Sequence, residues 1–173
     1  LMHDVGKLLI SKDILRKPGR LTEEEYEQIK KHPLLGYEKM KDKNIPESVK
    51  RVILLHHERA DGSGYPFGFH LKEIDPYAAI TAISDVYDAM TSNRVYRHGM
   101  NPFDVIEIFE KDGRKQFNPI FLVPILNNLT NTYLQHYVEL SNGMKGKIVL
   151  INKSELSRPM IAMDDNQFID LLK

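Results

Sequence analysis

Apolar residues recur at helical spacing over most of the chain, and this pattern predicts a succession of short helices. One of them begins with a capping box, in which Thr22 and Glu25 can each satisfy a free backbone N–H of the first turn. Prolines at first-turn positions and glycines between apolar stretches separate the others. The predicted helices cover residues 22–32, 33–42, 46–58, 75–92, 102–112 and 119–135.

The helix predicted over 75–92 is the longest, and its apolar and acidic residues lie on different faces. Its expected core stripe consists of Ile80, Ile83, Tyr87 and Met90. Asp85 and Asp88 lie one turn apart on another face. Between this helix and the preceding one, four glycines and prolines predict an irregular segment over about 60–74.

The pattern changes from helical to alternating after residue 136. The alternation on either side of Asn142–Gly143 predicts a β-hairpin, and residues 158–163 predict a third strand. We therefore expect an all-α body over residues 1–136, followed by a small three-stranded β appendage over residues 137–173.

Composition narrows the class of protein. The chain has 173 residues, 42% of them hydrophobic, and a formal net charge of zero, so no overall field draws it to DNA, RNA or a membrane surface. No apolar run approaches the roughly 20 residues of a membrane span. The chain contains no cysteine, which fits a reducing cytoplasm and excludes a thiolate zinc site.

Two motifs carry candidate chemistry: HDVGK at residues 3–7 and HHERADGSGYP at residues 56–66. Imidazoles and carboxylates together are ligands for iron, manganese or zinc. An isolated buried histidine is usually a hydrogen-bonded core residue, so the metal hypothesis depends on the whole set. The candidate ligands are His3, Asp4, His32, His56, His57 and Asp85.

Basic residues and a glycine-rich loop indicate a phosphate ester as the substrate. Lys7 lies one turn beyond His3, and Arg94 and Arg97 are spaced to fork phosphate oxygens. Arginines more often form a solvated surface pair. The loop glycines permit close approach to a ligand, although such a loop can equally be a structural Ω-loop.

These motifs, with His32–Pro33 and ISDVYDAMTSNRVYR at residues 83–97, resemble the HD-GYP family of metal-dependent phosphohydrolases over about residues 1–125. The resemblance implies an HD-domain helical bundle whose first helices lie outside this chain. It implies a catalytic core over residues 1–136 and a C-terminal extension over 137–173. It also implies two or three divalent metal ions, iron or manganese, and hydrolysis of cyclic di-GMP to linear pGpG or on to GMP.

The resemblance assigns roles to individual residues. It makes Asp4 the bridge between metals, with Asp4 and Lys7 as the catalytic pair. The implied metal ligands are His3, Asp4, His32, His56, His57 and Asp85. The implied substrate-binding residues are Lys7, Arg94, Arg97, Asp61, Gly62, Gly64, Tyr65 and Pro66. A Glu and a His from upstream helices normally complete the centre, and neither belongs to this chain.

The working hypothesis is attack on phosphorus by a hydroxide that bridges the metal ions. One alternative is a catalytically impaired module that binds a cyclic dinucleotide or a partner domain. Another is hydrolysis of a different cyclic dinucleotide, such as cyclic GMP-AMP. We expect a cytoplasmic signalling protein with an upstream sensor or receiver region, and a homodimer formed through exposed apolar surface.

Overall fold

The computed structural model describes residues 2–93, 98–165 and 167–172. Its α-helices are α1 (Lys12–Leu15), α2 (Glu23–Ile29), α3 (His32–Met40), α4 (Glu47–Leu55), α5 (Pro76–Thr91), α6 (Pro102–Ile108), α7 (Arg114–Gln116) and α8 (Pro119–Thr132). A 3-10 helix covers Val5–Leu9, and a π-helix covers Phe109–Gly113. The strands are β1 (Tyr137–Glu139), β2 (Lys145–Leu150), β3 (Met160–Met163) and β4 (Phe168–Asp170). Among these described residues, none of the helices combines the length and apolarity that crossing a bilayer needs.

The chain divides into two compact units. The first consists of residues 1–99 and 115–118, and the second of residues 100–114 and 119–173. The helical body and the C-terminal strands are therefore confirmed as the main elements of the fold. The functional boundary at residue 137 stays a prediction.

The first unit is organised around α4, which packs between α3 and α5. Ile53 of α4 and Ile83 of α5 are completely buried. The predicted stripe of α5 is confirmed at Ile83 but wrong at Ile80, which is 37% exposed. The buried face of α5 consists of Ala78, Ala79, Ala82 and Ile83. Each alanine buries little area, but its small volume lets two helix backbones approach closely. The spacing of large apolar residues along the sequence does not reveal such a face.

The N-terminal 3-10 helix lies against α3 through two glycines. A Cβ at Gly6 would clash with the carbonyl oxygen of His32 and lie 2.7 Å from the amide nitrogen of Gly36. A Cβ at Gly36 would in turn lie 3.1 Å from the nitrogen of Gly6. This close approach brings the turn containing residues 3 and 4 beside the first turn of α3.

The segment over 60–74 is irregular, as predicted. It contains no named helix or strand, and its one bridge joins Asp61 to His70. At the start of this segment, the backbone N–H of Ala60 donates to the carbonyl oxygen of Gln116 at 2.8 Å. The loop is therefore tied into the first unit.

The second unit contains α6, the π-helix, α8 and the antiparallel sheet. The strand order is β1-β2-β3-β4. The predicted hairpin and third strand are confirmed, with Val138 opposite Gly146 and Ile148 opposite Ile161. The expectation of three strands was wrong, because Phe168–Asp170 adds a fourth. No Asn–Gly turn of the kind that marks the hairpin directly precedes Phe168 in the sequence.

Candidate metal centre

The N-terminal turn, the start of α3 and the end of α4 bring four ligand-type side chains together. They are Asp4, His32, His56 and His57, and each offers one atom within 4.8 Å of the others. Asp4 Oδ1 lies 3.3 Å from His32 Nε2 and 3.7 Å from His56 Nε2. Residues spread over more than fifty positions of the sequence thus converge at one point of the first unit.

Backbone carbonyl groups orient two of the imidazoles. His32 Nδ1 lies 2.8 Å from the carbonyl oxygen of Ile29, and His56 Nδ1 lies 3.0 Å from that of Val52. A carbonyl oxygen can only accept, so both Nδ1 atoms carry a proton and both Nε2 atoms are free to coordinate. These two Nε2 atoms are 3.3 Å apart. Their lone pairs repel each other unless a proton or cation lies between them.

The cluster also contains polar atoms that no other described group satisfies. Asp4 Oδ1 and His57 Nε2 are buried and have no hydrogen-bond partner among the described residues. Burying such atoms without a partner is costly. A carboxylate oxygen and imidazole nitrogens around one point form a suitable donor set for a divalent transition metal. The residues therefore fit a metal ion.

The second oxygen of Asp4 faces other predicted site residues. Asp4 Oδ2 lies 2.7 Å from Lys7 Nζ and 3.4 Å from His3 Nε2. His3 Nε2 also lies 3.6 Å from Asp85 Oδ1. His3 and Asp85 thus form a second group beside the first, and the Asp4 carboxylate touches both groups.

Burial and hydrogen bonds shift the pKa values of these groups in different directions. Burial opposes ionisation of Asp4, but the contacts of its carboxylate with His3 and Lys7 hold the pKa of that carboxyl far below its usual range. The hydrogen bonds of His3 to Asp4 and Asp85 raise the pKa of His3 to about 9. Burial lowers the pKa of His56, and it lowers that of His57 to about 2. Burial thus favours the neutral form of both imidazoles at the end of α4, which is the form that coordinates a metal.

The glycine-rich loop folds over the end of α4. The ring of Tyr65 stacks on that of His57, with the ring centroids 4.7 Å apart and an interplanar angle of 23°. Gly62 has a φ of 79°, and a Cβ there would lie 2.6 Å from the ring of His70. The peptide bond between Tyr65 and Pro66 is cis. The loop therefore lies beside the cluster, which is where a substrate-binding loop is needed.

Of the other predicted substrate-binding residues with charged side chains, the structure describes Asp61 but not the two arginines. Asp61 is exposed, and its Oδ1 accepts hydrogen bonds from Ser63 N at 3.0 Å and Ser63 Oγ at 2.6 Å. This carboxylate thus forms the loop's turn. Arg94 and Arg97 lie outside the described residues.

Sequence reasoning missed two residues that shape this site. Gly6 sets the distance between the N-terminal turn and α3. Glu58 is 2% exposed, and its carboxylate accepts backbone N–H groups of the loop. In the sequence, Glu58 lies between two candidate ligands and a glycine-rich segment. If these neighbours are buried, the acid is removed from water with them, and this position could have identified it.

Comparison with known proteins gives a family and a set of named relatives. The family model described as HD domain matches residues 1–120. The chain is 43% identical over 107 residues to a cyclic di-GMP phosphodiesterase of Pseudomonas aeruginosa, covering 61% of this chain and 26% of that protein. It is 34% identical over 162 residues to the cyclic di-GMP phosphodiesterase PdeB of Borreliella burgdorferi, covering 93% of this chain and 42% of the relative.

A third relative is named for a different nucleotide. The chain is 37% identical over 144 residues to 3′3′-cGAMP-specific phosphodiesterase 1 of Vibrio cholerae, covering 82% of this chain and 32% of that protein. The chain spans less than half the length of each of these three relatives. Among solved structures, an HDG"Y"P protein from Bdellovibrio bacteriovorus matches with a TM-score of 0.53 and 22% identity, over 75% of this chain and 43% of that one. This last likeness supports the fold alone.

Proposed function

Because the chain belongs to the HD domain family, we propose that it is a metal-dependent phosphodiesterase of the HD-GYP type that hydrolyses cyclic di-GMP to linear pGpG. One observation carries the proposal. Asp4, His32, His56 and His57 converge within 4.8 Å, and within the described ranges a carboxylate oxygen of Asp4 and a ring nitrogen of His57 have no hydrogen-bond partner. The names of the Pseudomonas aeruginosa and Borreliella burgdorferi relatives support cyclic di-GMP as the substrate.

The proposed metal ligands are His3, Asp4, His32, His56, His57 and Asp85. The two-sided contacts of the Asp4 carboxylate support its role as the bridge between two ions. When bound, two or three divalent ions, iron or manganese, would neutralise phosphate charge and lower the pKa of water so that a nucleophile exists near neutral pH.

The protein's own groups have separate tasks in this proposal. His56 and His57 each present a ring nitrogen to the cluster, and burial lowers the pKa of both imidazoles, which favours the neutral form that coordinates a metal. Lys7 presents its ammonium group beside Asp4, where it can offset charge that develops on phosphoryl oxygens. Arg94 and Arg97 are proposed to bind the substrate phosphates. The loop residues Asp61, Gly62, Gly64, Tyr65 and Pro66 are proposed to border the bound nucleotide.

The experiment is to load the chain anaerobically with iron or manganese and to follow pGpG production by chromatography. Asp4→Ala should abolish both metal retention and turnover, since it removes the carboxylate that touches both groups of ligands. Arg94→Ala should weaken substrate use and leave metal content intact. Full turnover by Asp4→Ala would refute the assigned bridge, and metal loss in Arg94→Ala would refute the phosphate role of that arginine.

Cyclic GMP-AMP is the second candidate substrate, favoured by the relative from Vibrio cholerae. A panel of cyclic dinucleotides separates the two, because the ratio of kcat/KM values measures discrimination directly. A higher value for 3′3′-cyclic GMP-AMP would replace cyclic di-GMP in the proposal. A chain that binds nucleotide but retains no metal would instead be a binding module.

The cellular setting follows from the substrate. A cyclic dinucleotide is a bacterial second messenger, so we place the proposed reaction in the cytoplasm and in signal transduction. An upstream sensor or receiver region and a homodimer are part of the same proposal. Fractionation of cells tests the cytoplasmic location, and sedimentation of the purified protein tests the homodimer.

A further inference from the structure

Glu58 is a buried acid with no task in the proposed chemistry. It follows His56 and His57 directly and is only 2% exposed. Its Oε1 accepts the backbone N–H of Phe67 at 2.8 Å, and its Oε2 accepts that of Phe69 at 2.9 Å. Both oxygens are thus directed at the loop that follows Pro66, and Glu58 does not belong to the described metal-ligand cluster.

The part of the loop held in this way lies immediately after Tyr65. On the other side of Tyr65, a Cβ at Gly64 would lie 2.5 Å from Glu58 Cα, so the loop passes directly over the backbone of Glu58. The N–H of Tyr65 donates to the carbonyl oxygen of His57 at 3.2 Å. Tyr65 is therefore fixed from both sides, with its ring stacked on His57.

His57 needs such support because it lacks the usual kind. The rings of His32 and His56 are each oriented by a hydrogen bond from Nδ1 to a backbone carbonyl group. Metal-binding histidines are ordinarily held by a bond of this kind. Within the described part of the chain, the ring of His57 makes no hydrogen bond, and its Nε2 is buried without a partner. The stacked ring of Tyr65 is the closest aromatic neighbour of His57 outside the histidine cluster.

We propose that Glu58 is a positioning residue that acts through Tyr65 on the ligand His57. Its carboxylate clamps the two N–H groups after Pro66, the clamp fixes the loop, and the ring of Tyr65 keeps the imidazole of His57 aimed at the cluster. The loop thereby replaces the hydrogen bond that orients the other two imidazoles. This inference rests on the proposed metal centre at His57.

The test compares Glu58→Gln, Tyr65→Ala and their double variant. Glu58→Gln keeps the shape of the side chain but presents an NH₂ group to one of the two backbone N–H groups. Glu73→Gln is the matched control, because the Glu73 carboxylate accepts a loop N–H, that of His70 at 2.9 Å, from an exposed position. Circular dichroism first establishes that each variant is folded.

Two readouts follow in the folded variants. Titration calorimetry with Mn²⁺ measures metal affinity, and NMR of the metal-free protein measures the ring-proton shifts of His57, which the stacked ring of Tyr65 moves upfield. Glu58→Gln and Tyr65→Ala should each weaken Mn²⁺ binding about 10- to 100-fold, the usual effect of losing a group that orients a ligand. Both should also abolish the upfield shift, whereas Glu73→Gln should change neither quantity.

The double variant separates this pathway from independent effects. If Glu58 acts through Tyr65, the Mn²⁺ affinity of the double variant should equal that of the single variant with the lower affinity. Losses that multiply would overturn the inference, as would a Tyr65→Ala protein with the His57 shifts and Mn²⁺ affinity of the original chain. If Glu58→Gln does not fold, Tyr65→Ala alone still decides whether the stacked ring positions His57. If the original chain binds no Mn²⁺, the proposed metal centre fails, while the ring-proton shifts still test the positioning role.

Discussion

Gly6 shows how one residue without a side chain determines where the chemically active ones lie. The 3-10 helix can approach α3 only because no Cβ stands between Gly6 and the carbonyl oxygen of His32. That approach brings Asp4 Oδ1 to 3.3 Å from His32 Nε2. The sequence identified Asp4 and His32 by their chemistry, whereas the contact between them depends on a residue that carries no functional group.

Gly6→Ala should therefore damage both stability and metal binding. Overpacking of this kind typically costs about 1–3 kcal/mol, and relief of the clash moves Asp4 away from His32. Urea unfolding measures the first effect, and Mn²⁺ titration of the folded protein measures the second.

Gly19→Ala is the control for this prediction. Gly19 has a φ of 107°, and no atom of the described residues lies within 4 Å of an added Cβ, so alanine there strains the backbone without touching the cluster. It should lower stability and leave Mn²⁺ affinity unchanged. Equal Mn²⁺ affinities for Gly6→Ala and the original chain would contradict the role assigned to Gly6.

At the scale of elements, local signals and distant contacts differ in what they reveal. The capping box of α2 was predicted from two residues three positions apart, and the structure confirms it: Glu25 N donates to Thr22 Oγ1 at 3.3 Å, and Thr22 N donates to Glu25 Oε2 at 2.7 Å. In contrast, Glu110 of the π-helix accepts the N–H of Leu156 at 2.6 Å and the hydroxyl of Ser157 at 2.6 Å. Nothing in the sequence near Glu110 indicates partners more than forty positions away.

Thr22→Ala should destabilise the first unit by about 1 kcal/mol, because it leaves an N–H at the start of α2 without its partner. Thermal unfolding followed by circular dichroism measures the change. Thr22→Ser retains an acceptor oxygen and should restore most of the lost stability. Equal destabilisation by both substitutions would show that the hydrogen bond is not the source of the effect.

Glu110→Gln should destabilise the second unit by about 2 kcal/mol. The neutral amide of glutamine accepts through one oxygen only, so the hydrogen bonds from Leu156 and Ser157 become weaker or are lost. Amide hydrogen exchange at Ile148 and Ile161, the buried residues of β2 and β3, reports on this unit. Glu107→Gln is the matched control, because Glu107 forms surface ion pairs with Lys111 and Arg158 that contribute little. Similar protection in the two variants would contradict the structural role of Glu110.

At the scale of the whole molecule, we expect a cation bound at the cluster to stabilise the folded chain. In the part of the chain that the structure describes, Asp4 Oδ1 and His57 Nε2 are buried without hydrogen-bond partners, and these atoms regain water when the chain unfolds. A cation that binds the folded state alone stabilises it according to its concentration relative to its dissociation constant.

Mn²⁺ at about 100 times its dissociation constant should thus stabilise the folded chain by about 2.7 kcal/mol. Differential scanning calorimetry should show a higher Tm with Mn²⁺ and its reversal by a chelator. The Asp4→Ala protein should show no Mn²⁺-dependent change. An identical rise in that variant would locate the stabilising ion elsewhere.

The sequence by itself determined the identity of the chemical groups, the helical body with its capping signals and the irregular loop over 60–74. These features follow from local spacing, because helical periodicity, capping and turn formation each involve residues a few positions apart. Only the tertiary structure decided which oxygen of Asp4 faces which imidazole, that alanines and not Ile80 form the buried face of α5, and that Glu58 clamps the loop. Those outcomes depend on the separation of backbones that are distant in sequence, and that separation is set by the packing of glycines and small side chains.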